Sequence, residues 1–188
     1  MTPKYFLELG DIMARVEASD ATLAPIAYDE GIRRATVIVR DQTAAGRKVI
    51  FVGNGGSAAI ASHQAVDYWK NGRMRAVSFN DGALLTCVGN DFGYAHVFEK
   101  PIEMFADAGD VLIAISSSGR SENILRAAHA GARTGCRVIT LSGFAPDNPL
   151  RRLGEVNFYL PSDSYGYVEI THLAICHCIL DTIIASRT

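Results

Sequence analysis

The chain has little of what marks a nucleic-acid, membrane or disulfide-stapled protein. Its 18 basic and 20 acidic residues leave a formal net charge of −2 over 188 residues. There is no basic stripe to follow a phosphate backbone or coat a lipid surface. The four cysteines, Cys87, Cys136, Cys176 and Cys178, form no CxxC pair and no metal-ribbon spacing, so they read as reduced thiols. No apolar run is read as approaching the ~20 residues of a membrane span. The opening MTPKYFLELGD carries acidic residues where a secretory leader needs an apolar stretch. The expected setting is therefore the cytoplasm, with neither membrane nor nucleic acid as partner. Low-complexity tracts, internal repeats and linkers are missing as well, which predicts a single domain over 1–188.

What is present is an alternation. Residues 5–47 carry Ile12, Val16, Leu23, Ile26, Ile32, Ala35, Ile38 and Val39 at helical spacings, closed near Gly46. This predicts a helical N-terminal segment over 1–47, packing on the core and at an oligomer interface. Lys48-Val-Ile-Phe-Val-Gly53 then reads as a strand buried on both faces. Further strands are expected at 76–79, 110–115, 137–141 and 156–160, with helices over 57–71, 94–106, 121–134 and about 168–186. Alternating strands and helices predict a parallel sheet built through right-handed crossovers. Trp69, Tyr68 and Phe79 are read as core or subunit-interface packing.

Two loops, each directly after a buried strand, stand out. The first is Gly53-Asn54-Gly55-Gly56-Ser57; the second is Ser116-Ser117-Ser118-Gly119-Arg120-Ser121. In an open parallel sheet, ligands bind at the carboxyl ends of strands. Small residues let a backbone approach closely, and the helix that follows presents unpaired N–H groups and a partial positive charge. Serine hydroxyls add donors. The pattern predicts a phosphomonoester held by neutral groups, against the plainer reading of two turns whose Ser57 and Ser121 cap helices. Neither loop fits GxGxxG or GxxxxGK[ST], so no nucleotide cofactor is expected.

Two helices carry candidate chemistry. His63 and Asp67 stand four apart on one face of the first; Glu169, His172 and His177 lie on the last. Carboxylates and imidazoles of this kind could move a proton between adjacent sugar carbons or hold a divalent metal. Each could equally be a satisfied structural side chain.

With those residues laid out, the chain resembles the sugar isomerase (SIS) family and, within it, the phosphoheptose isomerase branch. The carriers are Gly53-Asn-Gly-Gly-Ser57, Val88-Gly-Asn-Asp-Phe-Gly93, Gly109-Asp-Val-Leu-Ile-Ala-Ile-Ser-Ser-Ser-Gly119 with Ser121, Val138-Ile-Thr-Leu-Ser-Gly143, and the Glu169 to His177 spacing. The resemblance implies a flavodoxin-like three-layer α/β sandwich with a five-stranded parallel sheet, assembled as a homotetramer with active sites between subunits. It implies isomerisation of sedoheptulose 7-phosphate to D-glycero-D-manno-heptose 7-phosphate through an enediol. Alternatives are an isomerase of another phosphosugar and a non-catalytic phosphosugar-binding adaptor. By resemblance, Asn54, Gly55, Gly56, Ser57, Asp91, Ser116, Ser117, Ser118 and Ser121 bind substrate, while Asp67, Glu169 and His177 are catalytic. Zinc or another divalent metal would sit on His63, Asp67, Glu169 and His177. Two positions depart from the family pattern: Asp67 stands where glutamate is usual, and Glu169 where glutamine is. Gly166 replaces a commonly polar sugar-contacting residue.

Overall fold

The computed structural model describes residues 2–187; Met1 and Thr188, which the single-domain expectation includes, lie outside the described residues. A seven-stranded sheet runs in the order β2-β1-β7-β6-β5-β3-β4. Its five parallel strands are β3 (Val49–Val52), β4 (Ala76–Ser78), β5 (Val111–Ser116), β6 (Arg137–Ser142) and β7 (Val156–Tyr159). These are the strands that the apolar runs predicted. The sheet is longer than the expected five because β1 (Glu17–Ser19) pairs antiparallel with β7 and with β2 (Pro25–Ile26). The lead-in is thus not wholly helical: α1 (Thr2–Met13) and α2 (Tyr28–Ala44) flank this hairpin. Its turn is held by Asp20, whose carboxylate accepts from the amides of Thr22 and Ala24, with Leu23 at φ 65°.

Helices cover both faces. On one, α2, α3 (Gly56–Lys70) and α7 (Tyr165–Ala185) pack over Val49, Phe51, Ile113, Ile115, Leu141 and Phe158. Tyr68 of α3 meets Phe51 edge to face at 5.0 Å, and its hydroxyl donates to the Cys176 carbonyl at 3.0 Å. On the other face, α5 (Glu99–Phe105) and α6 (Glu122–Arg133) cover Ile50, Val52, Leu112, Ala114 and Val138. All six residues of β5 are buried, as a strand covered on both faces requires.

Four expectations need correction. A helix, α4 (Gly82–Phe92), lies where none was expected, and the predicted helix at 94–106 is a 3-10 turn followed by the shorter α5. Trp69 is 53% exposed, which removes the core half of its expectation and leaves the subunit-interface half. Finally, α7 is long and apolar enough, by length and composition, to cross a membrane. Here it is a core helix: Val168, Ile175, Ile179, Leu180 and Ile183 are buried against the sheet and its neighbours.

Candidate active site

The two glycine- and serine-rich loops sit at the carboxyl ends of β3 and β5, which are adjacent in the sheet although far apart in sequence. Gly55 takes φ 53° and ψ −121°, backbone that a side chain would oppose. It lets the chain turn from β3 into α3 with no side-chain cap on the first turn; the Ala58 and Ala59 amides bond the Gly55 carbonyl, which leaves those ahead of them for a ligand. Ser121 precedes α6 and likewise makes no capping bond. Its hydroxyl lies 3.4 Å from that of Ser116.

Between the loops is a cavity of about 240 Å³, lined by Asn54 to Ser57 on one side and Ile115 to Ser118 with Ser121 on the other. Tyr165 and Glu169, from the first turns of α7, complete the wall. No lysine or arginine lines it. Arg120 turns outward, donating to Asp147 at 2.6 Å. The donors on the cavity wall are therefore hydroxyls and helix amides.

Asn54 is held by a residue the sequence reading did not single out. Its amide nitrogen donates to Oδ1 of buried Asn123 at 2.8 Å, and Nδ2 of Asn123 donates back at 2.9 Å. The Tyr94 hydroxyl donates to the same Asn54 oxygen at 3.1 Å. This reciprocal amide pair ties the β3 loop to the start of α6.

A second group of side chains lies further along α3 and α7. His63 Nε2 is 3.2 Å from Asp67 Oδ2, and His177 Nδ1 is 3.9 Å from the same oxygen. The two imidazoles meet edge to face at 5.6 Å. One ligand atom from each of these residues lies within 4.8 Å of the others, a two-nitrogen, one-oxygen set suited to zinc. Asn71 donates to Asp67 Oδ1 at 3.2 Å, which leaves Oδ2 facing the histidines. Glu169 is not part of this group. It precedes His177 by eight residues, about 12 Å along a helix, and its carboxylate rests against Gly56. Asp91 also stands apart, exposed on α4 and bonded to Asn90 and Cys87. The structure thus gathers three of the four expected metal ligands, and every expected substrate residue except Asp91 at the cavity.

Burial separates the histidines of α7. His172 is enclosed, with Nε2 3.2 Å from the Ser142 carbonyl, and desolvation pushes its pKa down to about 4. It remains neutral at pH 7 and faces the core. Cys176, also enclosed, has its thiol pushed up to about 12. His177, one residue on, is partly exposed and meets the buried amide of Gln64 at 3.0 Å.

A doubly covered, mostly parallel sheet with two glycine- and serine-rich loops side by side at its carboxyl edge defines a class of α/β proteins with a ligand cleft at that edge. Comparison with known proteins makes the class specific: the SIS domain family matches residues 4–143, and the chain belongs to it. The chain is 36% identical to the phosphoheptose isomerase of Enterobacter sp. (strain 638), across 91% of this chain and 95% of that one. It is 31% identical to that of Geobacter sulfurreducens, across 93% and 96%. Among solved structures, a phosphoheptose isomerase from Neisseria gonorrhoeae superposes with a TM-score of 0.77 at 32% identity, over 82% of this chain and 86% of that one. One from Francisella tularensis gives 0.81 at 26% identity, over 97% and 95%.

Proposed function

We propose that this chain is an aldose–ketose isomerase of a seven-carbon sugar phosphate, converting sedoheptulose 7-phosphate to D-glycero-D-manno-heptose 7-phosphate. The observation that carries this reading is one cavity lined by four serines in the second loop, the amide-rich start of α3 and a single carboxylate, Glu169. The phosphate rests on Ser57, Ser116, Ser117, Ser118 and Ser121, and the open-chain sugar extends from it. A carboxylate removes a proton from C1 while the C2 carbonyl oxygen gains one, which gives the C1–C2 enediol. Loss of the O1 proton and protonation at C2 complete the aldose.

Glu169 is the carboxylate that shares the cavity with the serine loops, and we assign it the carbon proton. Asp67, engaged by both histidines, belongs to the second group with His177; the imidazole moves the oxygen-bound proton when the C1–C2 end of the sugar lies between Glu169 and that group, within reach of both. Zinc or another divalent metal fits His63, Asp67 and His177. Bound there, it would supply polarisation of the sugar oxygens and a fixed orientation for the imidazoles.

The chain is also read as one SIS domain acting in the cytoplasm as a homotetramer with sites between subunits. Among the described residues, α4 buries no side chain fully: Leu85 and Val88 pack against the core but, like Leu84, stay partly exposed. Phe92, Met104 and Phe105 nearby are also exposed. Such a surface suits a second copy, and it would bring Asp91 of one subunit toward the sugar of another.

The test is turnover of sedoheptulose 7-phosphate followed by NMR, with and without zinc. Glu169→Gln is expected to lower kcat by about 100-fold or more. Unchanged turnover in that variant, with loss in Asp67→Asn, would move the base to Asp67. No turnover by the parent protein, with phosphosugar binding intact, would sink the reaction and leave a binding role.

A further inference from the structure

We propose that Gln64 is a positioning residue that supports either tautomer of His177, so that Nδ1, which faces Asp67, can present a proton or a lone pair. This rests on the reading of His177 as a working imidazole, and it adds a residue that neither the sequence pattern nor the relatives' names assign.

Gln64 follows His63 on α3 and is fully buried. Its side-chain nitrogen is 3.0 Å from His177 Nε2, while its side-chain oxygen has no hydrogen-bond partner among the described residues. An apolar side chain would fill this space without stranding a buried polar atom, so the amide is costly unless it acts on its one partner. That partner is the imidazole whose other nitrogen points at Asp67 Oδ2 from 3.9 Å.

The amide can meet the ring in two ways, related by a half-turn about its last bond. With the N–H toward the ring, Nε2 accepts, and in a neutral imidazole the proton then resides on Nδ1, directed at Asp67. With the oxygen toward the ring, Nε2–H donates, and the Nδ1 lone pair faces Asp67 and His63. The first state supplies a proton donor at Nδ1; the second supplies a base or a metal ligand there. Each state leaves one amide atom unpaired, because no other side chain among the described residues bonds to the Gln64 amide. Surrounding protein therefore does little to bias the choice, and the occupant between His63, Asp67 and His177 decides it. Metal-bound histidines usually donate their second nitrogen to a fixed oxygen, and here the Gln64 oxygen would take that role. Without a cation, the N–H state lets Nδ1–H approach the carboxylate.

The experiment uses the full chain with 15N-labelled histidine, the His177 ring signals being assigned by their loss in His177→Ala. Long-range proton–nitrogen spectra at neutral pH report which ring nitrogen carries the proton. The stripped protein is expected to show Nδ1–H and the zinc-titrated protein Nε2–H. In Gln64→Leu the metal-free preference for Nδ1–H should weaken, with Asp67 alone left to favour it, and zinc affinity should fall by about 10-fold or more. Gln64→Met provides a second apolar variant in case the first folds poorly. Gln64→Glu, whose ionised carboxylate only accepts, should hold Nε2–H with or without zinc and rescue zinc binding. The same tautomer and the same zinc affinity in parent, Leu and Met variants would overturn the proposal. These readouts need no turnover, so failure of the isomerase reading shows separately as an inactive parent protein whose tautomer still follows Gln64.

Discussion

His172 should make the stability of this protein fall between neutral and mildly acidic pH. Its imidazole is 1% exposed, donates Nε2–H to the Ser142 carbonyl and leaves Nδ1 without a partner among the described residues. Desolvation lowers its pKa from 6.5 to about 4. The unfolded chain takes up this proton near pH 6.5 while the folded chain resists until about 4. In that window the unfolded state binds more protons, so the contribution is complete above pH 6.5 and is lost as pH falls toward 4. At about 1.4 kcal/mol per unit, the whole loss is roughly 3 kcal/mol, of which about 2 is gone by pH 5. The assay is urea denaturation of the parent chain and of His172→Gln at pH 7.5, 6, 5 and 4.5. Glutamine keeps a donor for the Ser142 carbonyl but does not titrate. The parent curve should drop relative to the variant by about 2 kcal/mol between pH 7.5 and 5. Parallel curves would refute the assignment of the acid-sensitive step to this ring.

Two other perturbations act at opposite ends of the sheet. Asp110, 1% exposed, accepts from the amides of Lys48 and Asp107 and pairs with the Lys48 ammonium at 2.5 Å. Asp110→Ala should cost about 3 kcal/mol in denaturant titrations while leaving turnover per folded molecule unchanged, because it lies at the amino ends of β3 and β5. Asn123→Ala strands the Asn54 amide at the cavity and should weaken phosphosugar binding about tenfold, some 1.4 kcal/mol by calorimetry. Unaltered affinity would show that Asn54 needs no support from α6.

The legibility of this chain follows from where each residue finds its partner. β3 and β5 announce themselves because strands buried on both faces must be apolar throughout, and the loops after them are marked by glycine and serine. By contrast, β1 and β2 span three and two residues, too short for alternation to register. β1 exists because it pairs with β7 at the other end of the chain. α4 escaped notice because its apolar stripe is short: Leu85 and Val88 pack on the core, yet no residue of the helix is fully buried. At the site, the spacing of Glu169 and His177 gave a direction around the helix but not the two turns of rise between them. That rise is why one faces the serine loops and the other the histidine group. Gln64 was invisible for a different reason: the ring it meets lies 113 positions away.

The sheet order also governs when a site can exist at all. Since β4 lies outside β3, the chain must travel to the sheet edge and return before β5 docks on the inner side of β3. The loops are joined by Asn54 and Asn123, 69 positions apart, and no local stretch of chain contains both. Closing so long a loop is slow compared with forming any single helix or turn. A phosphosugar added to refolding protein would therefore find nothing to bind until β5 has joined β3, and its capture would time that docking rather than the earlier collapse.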